Sequence, residues 1–170
     1  MAIDGVKIID SDQGYDIYNE VVGRYRDGEH VTNIIKYILD AEKDYCQTDF
    51  FTEIYWTALA YSLWKIGHLT DDIRDKTLEL IKKGADPFWL EIDSKALKQR
   101  QKVLDKLAIH LQTENPRPLK VTKAKTKRKP YFEEGDLLTV KFKDQYGLVF
   151  VSMVEQSPRK LEYHLACTRL

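Results

Sequence analysis

From residue 12 to residue 111 the apolar positions recur every three to four residues, the spacing of one helical face, and they do so in five successive blocks. The first block runs from about 12 to 26, with Ile17, Tyr18, Val21, Val22 and Tyr25 on one stripe and Asp27-Gly28 ending it. The second runs from about 30 to 45, with Val31, Ile34, Ile35, Ile38 and Ala41 inward. The third, FFTEIYWTALAYSLWKI, is apolar on nearly every side, which places it at the centre of a bundle, and Gly67 suits its left-handed cap. Thr70 caps the fourth, Asp71 and Asp72 sit in its first turn, and its stripe of Ile73, Thr77, Leu80 and Ile81 stops at Gly84. A short apolar connector, FWLEI, leads to the fifth, capped by Asp93 or Ser94. Its seam is Leu97, Leu104, Leu107, Ala108 and Leu111, and Lys95, Lys98, Arg100, Lys102 and Lys106 dominate the outer face.

At Asn115-Pro116-Arg117-Pro118 the helical spacing stops, and KVTKAKTKRKP reads as a linker. Beyond it the period drops to two. Leu137–Lys143, Tyr146–Glu155 and Lys160–Thr168 read as strands, with turns at Asp144-Gln145 and Ser157-Pro158-Arg159. The second strand is apolar on both faces, so both should be covered. The expected fold class is α+β: an N-terminal five-helix bundle over 1–114, a basic linker over 115–130, and a small antiparallel β meander over 131–170. Three strands cannot close a barrel, so the sheet is at most partly barrel-like, with an edge that should seek a partner.

Composition narrows the function classes. In 170 residues, 43% hydrophobic with ten tyrosines, six phenylalanines and three tryptophans, there is ample material for a packed core. No apolar run reaches membrane-spanning length, the first ten residues lack the pattern of a secretory signal, and the two distant cysteines, Cys46 and Cys167, read as reduced thiols. The expectation is a cytoplasmic protein away from membranes.

Charge changes the picture more. The formal net charge is zero, yet residues 1–64 hold twelve acidic and five basic side chains, while residues 117–129 hold seven basic and no acidic ones. The acidic half would suit a basic partner, with Asp12, Asp16, Glu20, Asp40, Glu42 and Asp44 as contact candidates. The basic stretch raises a phosphate contact through Lys123, Lys125, Lys127, Arg128 and Lys129, but it lacks the interleaved aromatics that stack on bases, and the acidic front argues against nucleic acid.

Candidate chemistry is thin. KIIDSDQGYD resembles in outline the DxDG loop of haloacid-dehalogenase phosphatases, but Gln13 separates the second acid from the glycine. Counted as a calcium loop from Asp10, it has Gly14 at position 5, Tyr15 at 6 and Val21 at 12, none of which fits. A helix start, with Asp10 or Asp12 accepting backbone N–H groups, explains it better. His30, His68, His110 and His164 share no metal-binding spacing, and no nucleophile or phosphate-loop motif occurs. The reading is a protein with no catalytic residues, metal or cofactor. Trp56, Trp64 and Trp89 with Tyr55, Tyr61 and Phe88 read as core packing rather than a pocket.

Three stretches resemble known families. IIDSDQGYDIYNEV is similar to the opening segment of a bacterial domain-of-unknown-function family, in which an aspartate-rich loop leads into the first helix. The helical region of such proteins is resembled more specifically by A-L-A-x-x-x-W-K-x-G-x-L (58–69), I-x-x-G-x-D (81–86) and R-x-x-V-L-x-K-L (100–107). YFEEGDLLTVKFKDQYGLVFVSMV resembles the start of the β-domain in the type-26 immunity proteins of bacterial toxin systems. The resemblance implies a non-enzymatic protein that binds and neutralises a cognate toxin; the sequence departs from it in stopping after about three strands. Two other readings stand beside it: a nucleic-acid-associated accessory protein acting through the basic linker, and a structural homodimer paired through the β edge.

Overall fold

A computed structural model describes residues 3–121, 129–156 and 161–168. They form two compact units, Met1–Val121 and Thr122–Leu170. The chain is α+β, with the helices first and a three-stranded antiparallel sheet last. Among the described residues no helix is long and apolar enough to cross a membrane.

In the helical unit α1 (Asp12–Arg26) starts at Ser11, whose hydroxyl accepts the Gly14 N–H at 3.1 Å. The cap is therefore Ser11 rather than Asp10 or Asp12. Asp10 turns back to accept the Lys7 N–H instead, and Asp12 lies in the first turn, where the helix dipole favours negative charge. The single helix expected over 30–45 is two, α2 (Val31–Asp40) and α3 (Glu42–Tyr45). At the break the Tyr55 hydroxyl donates to the Ile38 carbonyl at 2.6 Å, and the Ala41 N–H closes a tight turn on that same oxygen at 3.1 Å.

The central helix is α4 (Asp49–Ile66), buried around its whole circumference, with Tyr55, Ala58, Leu59, Ala60 and Leu63 fully enclosed. It ends at Gly67, whose φ of 76° is a left-handed conformation that suits glycine. α5 (Asp71–Lys83) starts after Thr70. Thr70 holds the extended capping conformation, but its hydroxyl is given to Asp72, and that bond holds the Asp72 carboxyl below its ordinary range. The FWLEI connector contains a single helical turn, α6 (Trp89–Ile92), pinned by a buried Trp89. α7 (Ala96–Leu111) follows; its N-cap position is Lys95, which makes no side-chain cap bond, rather than Asp93 or Ser94, and the Asp93 carboxylate accepts the Lys95 N–H one residue before the helix at 2.8 Å.

The largest departure from the sequence pattern is Arg100. It lies on the buried stripe of α7, between Ala96 and Leu104, rather than on the outer face. Its side chain is 1% exposed and pairs with Glu53 of α4, itself 5% exposed, at 2.8 Å. The guanidinium also donates to the Val6 and Lys7 carbonyls at 3.0 and 2.9 Å and to the Thr57 hydroxyl at 3.2 Å. Glu53 accepts in turn from the Asp86 N–H at 2.7 Å and the Trp89 indole at 3.2 Å. Burial pulls the Arg100 pKa down and the Glu53 carboxylate opposes that.

The helical unit extends past the expected boundary at 114. Asn115 donates its amide to the Trp64 and Lys65 carbonyls, and the Leu119 N–H donates to the Lys65 carbonyl at 2.9 Å. The prolines end α7, but these bonds hold the chain on the bundle as far as Val121.

The second unit is a meander of β1 (Leu137–Phe142), β2 (Gln145–Gln156) and β3 (Leu161–Cys167), in that order, unclosed. The first turn falls on Lys143-Asp144, one residue earlier than expected: Phe142 pairs with Gln145, and Lys143 takes a φ of 56°. The second expected turn, Ser157-Pro158-Arg159, and Lys160 lie outside the described residues. A bulge between Val151 and Met153 shifts the β2–β3 register. Burial in β2 alternates: Gly147, Val149 and Val151 are covered, while Tyr146, Leu148 and Phe150 are exposed. Only one face of this strand is covered, because three strands supply a single layer and the pleat sends alternate side chains to opposite sides.

The buried pair generates a stability test. Arg100→Met leaves a buried carboxylate without its cation and should destabilise the chain by about 3–5 kcal/mol in urea unfolding. Apolar replacement of both partners is often neutral for isolated buried pairs. Here Glu53→Met/Arg100→Met should stay well below wild type, because the Asp86 and Trp89 N–H groups lose their acceptor. A double variant as stable as wild type contradicts this assignment.

Candidate functional site

On α1, Asp12, Asp16 and Glu20 are spaced four apart and share one face, and all three are exposed. The break between α2 and α3 turns the chain at Ala41, which leaves a groove of about 490 Å³ between α1, α2 and α3. Asp16 and Glu20 line one wall, with Gly23, Arg24 and Asp27 further along the same helix. Tyr37 and Tyr45 line the other wall, and Tyr55 lies beneath them. The Tyr45 and Tyr55 rings sit 5.9 Å apart and tilted by 34°.

The groove is acidic and aromatic. At one end the Arg24 guanidinium lies 3.8 Å from the centre of the Tyr37 ring, paired with Glu20 at 2.6 Å and Glu29 at 3.2 Å. Those carboxylates, Glu20 foremost, raise the Arg24 pKa and keep it charged. Burial, and then the Asp16 charge, push the Tyr45 phenol above its ordinary value; burial does the same to Tyr55. Neither phenol ionises near neutral pH, so neutral rings face the carboxylates of α1 across the groove.

The six acidic candidates divide. Asp16 and Glu20 line the groove. Asp12 stands one turn earlier on the same face. Asp40 and Asp44 are exposed on either side of the break at Ala41. Glu42 is committed elsewhere: its carboxylate accepts from the Trp56 indole at 3.2 Å and the Lys76 ammonium at 3.0 Å, and Lys76 also sits over the Trp56 ring at 3.6 Å. Of the phosphate-contact candidates, Lys123, Lys125, Lys127 and Arg128 lie outside the described residues, and Lys129 is exposed. The aromatic residues behave as packing groups. Trp56 and Trp89 are buried, and Trp64 stacks on His110 with ring centres 4.9 Å apart.

Sequence reasoning missed Tyr37, Tyr45, Gly23 and Arg24. The two tyrosines sit on either side of the helix break at Ala41, so no single helical stripe joins them. Gly23 did carry a signal, as an isolated glycine inside a helical stripe.

The acidic wall predicts salt-sensitive encounter with cations. With Asp16→Lys/Asp44→Lys, both exposed positions, the fold should survive with a change in unfolding free energy within about 0.5 kcal/mol. A larger loss would mean that these carboxylates hold the helices together. Compared with known proteins, the chain matches no family model, no curated protein and no solved structure.

Proposed function

We infer that this chain is a non-enzymatic protein-binding module whose acidic helical face recognises a basic protein partner. The observation that carries the reading is the meeting of Asp16 and Glu20 with Tyr37 and Tyr45 around one groove, flanked by Asp40 and Asp44. Tyrosine is enriched at partner surfaces, where its ring supplies contact area, and the charges beside it steer the approach. Asp40 supports the same reading. It sits at the C-terminal end of α2, where the helix dipole disfavours an acid, and that last turn holds no basic residue.

On the resemblance of 131–155 to type-26 immunity proteins, the partner we propose is a cognate bacterial toxin domain met in the cytoplasm. Blocking would be steric and electrostatic, the acidic face covering a cationic surface of the toxin. Affinity capture from the host tests this, with wild type and Asp16→Lys/Asp44→Lys run side by side. A stoichiometric basic protein should come down with wild type. Its association with the variant should slow roughly ten-fold at low salt, with a flatter salt dependence. Unchanged association kinetics would sink the acidic-face reading.

One observation favours a second reading. The outer sides of β1 and β3 have no strand partner among the described residues, and β2 exposes Tyr146, Leu148 and Phe150. An open edge beside an apolar face favours self-association. Light scattering on an eluting peak at tens of micromolar should give a dimer mass on this reading, reduced to monomer by Leu148→Thr/Phe150→Thr. A wild-type monomer removes it.

A further inference from the structure

Gly23 lies in the interior of α1 and lines the acidic groove. Glycine weakens a helix interior relative to alanine, so a fold reason for it should be visible. None is present among the described residues: a Cβ placed there meets no atom within 4 Å, and its φ is not in the left-handed range. Position 23 leaves open space on the groove wall beside Arg24.

The groove also shows which ligand fits it. Its Arg24 end already holds a guanidinium, lying on the Tyr37 ring and paired with carboxylates. The opposite end repeats the components without the cation. Tyr45 is fixed there against Tyr55. Asp16 lies close enough to raise the Tyr45 pKa, and it has no hydrogen-bond or ion-pair partner among the described residues. An anion would be repelled by Asp16, Glu20 and Asp27, and an apolar group would desolvate those carboxylates without compensation.

We propose that this end of the groove is a socket for one arginine side chain of a basic protein partner, its guanidinium taken by the Asp16 carboxylate and the Tyr45 ring. The proposal rests on the protein-binding reading above and adds the residue type that enters and where. Arginine suits it better than lysine. A planar, weakly hydrated guanidinium can pair with a carboxylate in its plane and stack on a ring through its face, whereas an ammonium gives up more hydration to do either.

The test titrates the full chain with a blocked glycine-rich peptide carrying three arginines, and with its lysine counterpart, followed by NMR at the Asp16 amide and the Tyr45 ring. The arginine peptide should move both signals saturably and bind at least roughly three-fold tighter than the lysine peptide. Asp16→Asn should weaken binding roughly ten-fold with the melting temperature unchanged. If the peptide shifts signals elsewhere on the acidic surface and Asp16→Asn binds like wild type, the socket is wrong while a basic partner still stands. If neither Asp16 nor Tyr45 responds up to millimolar peptide, the socket is likewise overturned, and the capture experiment alone decides the broader reading.

Discussion

The helical unit depends on one buried ion pair. Glu53 and Arg100 come from helices forty-seven residues apart in sequence and meet at 2.8 Å with almost no exposure. Removing two charges from water costs several kcal/mol each, and a lone pair rarely recovers it. This pair is not alone. Arg100 also closes the carbonyls of Val6 and Lys7, and Glu53 closes the N–H groups of Asp86 and Trp89. Two carbonyls of the N-terminal loop, the N–H of one turn and the Trp89 indole of α6 would otherwise lose their buried or part-buried partners. The net contribution is therefore better seen as specificity. The ions fix where the N-terminal loop, α6 and α7 sit against α4, and any slipped arrangement leaves a charge or a backbone dipole buried without a partner.

That constraint reaches the groove through α4. Glu53 looks toward α7, and Tyr55, two residues on, looks the other way, toward α2. With the rotation of α4 set by the ion pair, the Tyr55 hydroxyl meets the Ile38 carbonyl close to where α2 ends. The chain turns at Ala41, α3 brings Tyr45 against Tyr55, and Glu42 swings onto Trp56 and Lys76. The acidic wall of α1 then faces aromatic side chains rather than a second helical stripe. A core interaction made for packing thus decides the shape of a surface far from it in sequence.

The same chain of causes explains what the sequence disclosed. α1, α4, α5 and α7 are legible because their apolar spacing is local, and the central place of α4 follows from its all-round hydrophobicity. Arg100 was hidden by its own charge. The stripe on α7 skips from Leu97 to Leu104, and the missing position was filled by a residue whose type argues for solvent. The break at Ala41 has no local signal, since no glycine or proline stands near it. In β2 the run LVFVSMV is apolar on both faces, but a sequence cannot show how many layers are there to cover them. Of the site, the acidic residues were legible as a charge imbalance. Their division into groove-lining Asp16 and Glu20 and the internally bonded Glu42 was not.

Two positions around the groove work against the helices that carry them. Asp40 places a negative charge at the negative end of α2, and Gly23 loosens the middle of α1. Each is a small local loss, and neither is offset by a contact among the described residues. Elsewhere in the unit, local choices agree with the fold. Ser11 and Thr48 cap α1 and α4, acids lead α5, lysines close it, and Gly67 ends α4. When sequence and fold agree nearly everywhere, the exceptions carry information. Gly23 lines the groove, and Asp40 precedes Ala41, which lines it too. Either loss could be repaired by a single substitution, alanine at 23 or a neutral residue at 40, so neither residue is explained by the stability of the helix that carries it.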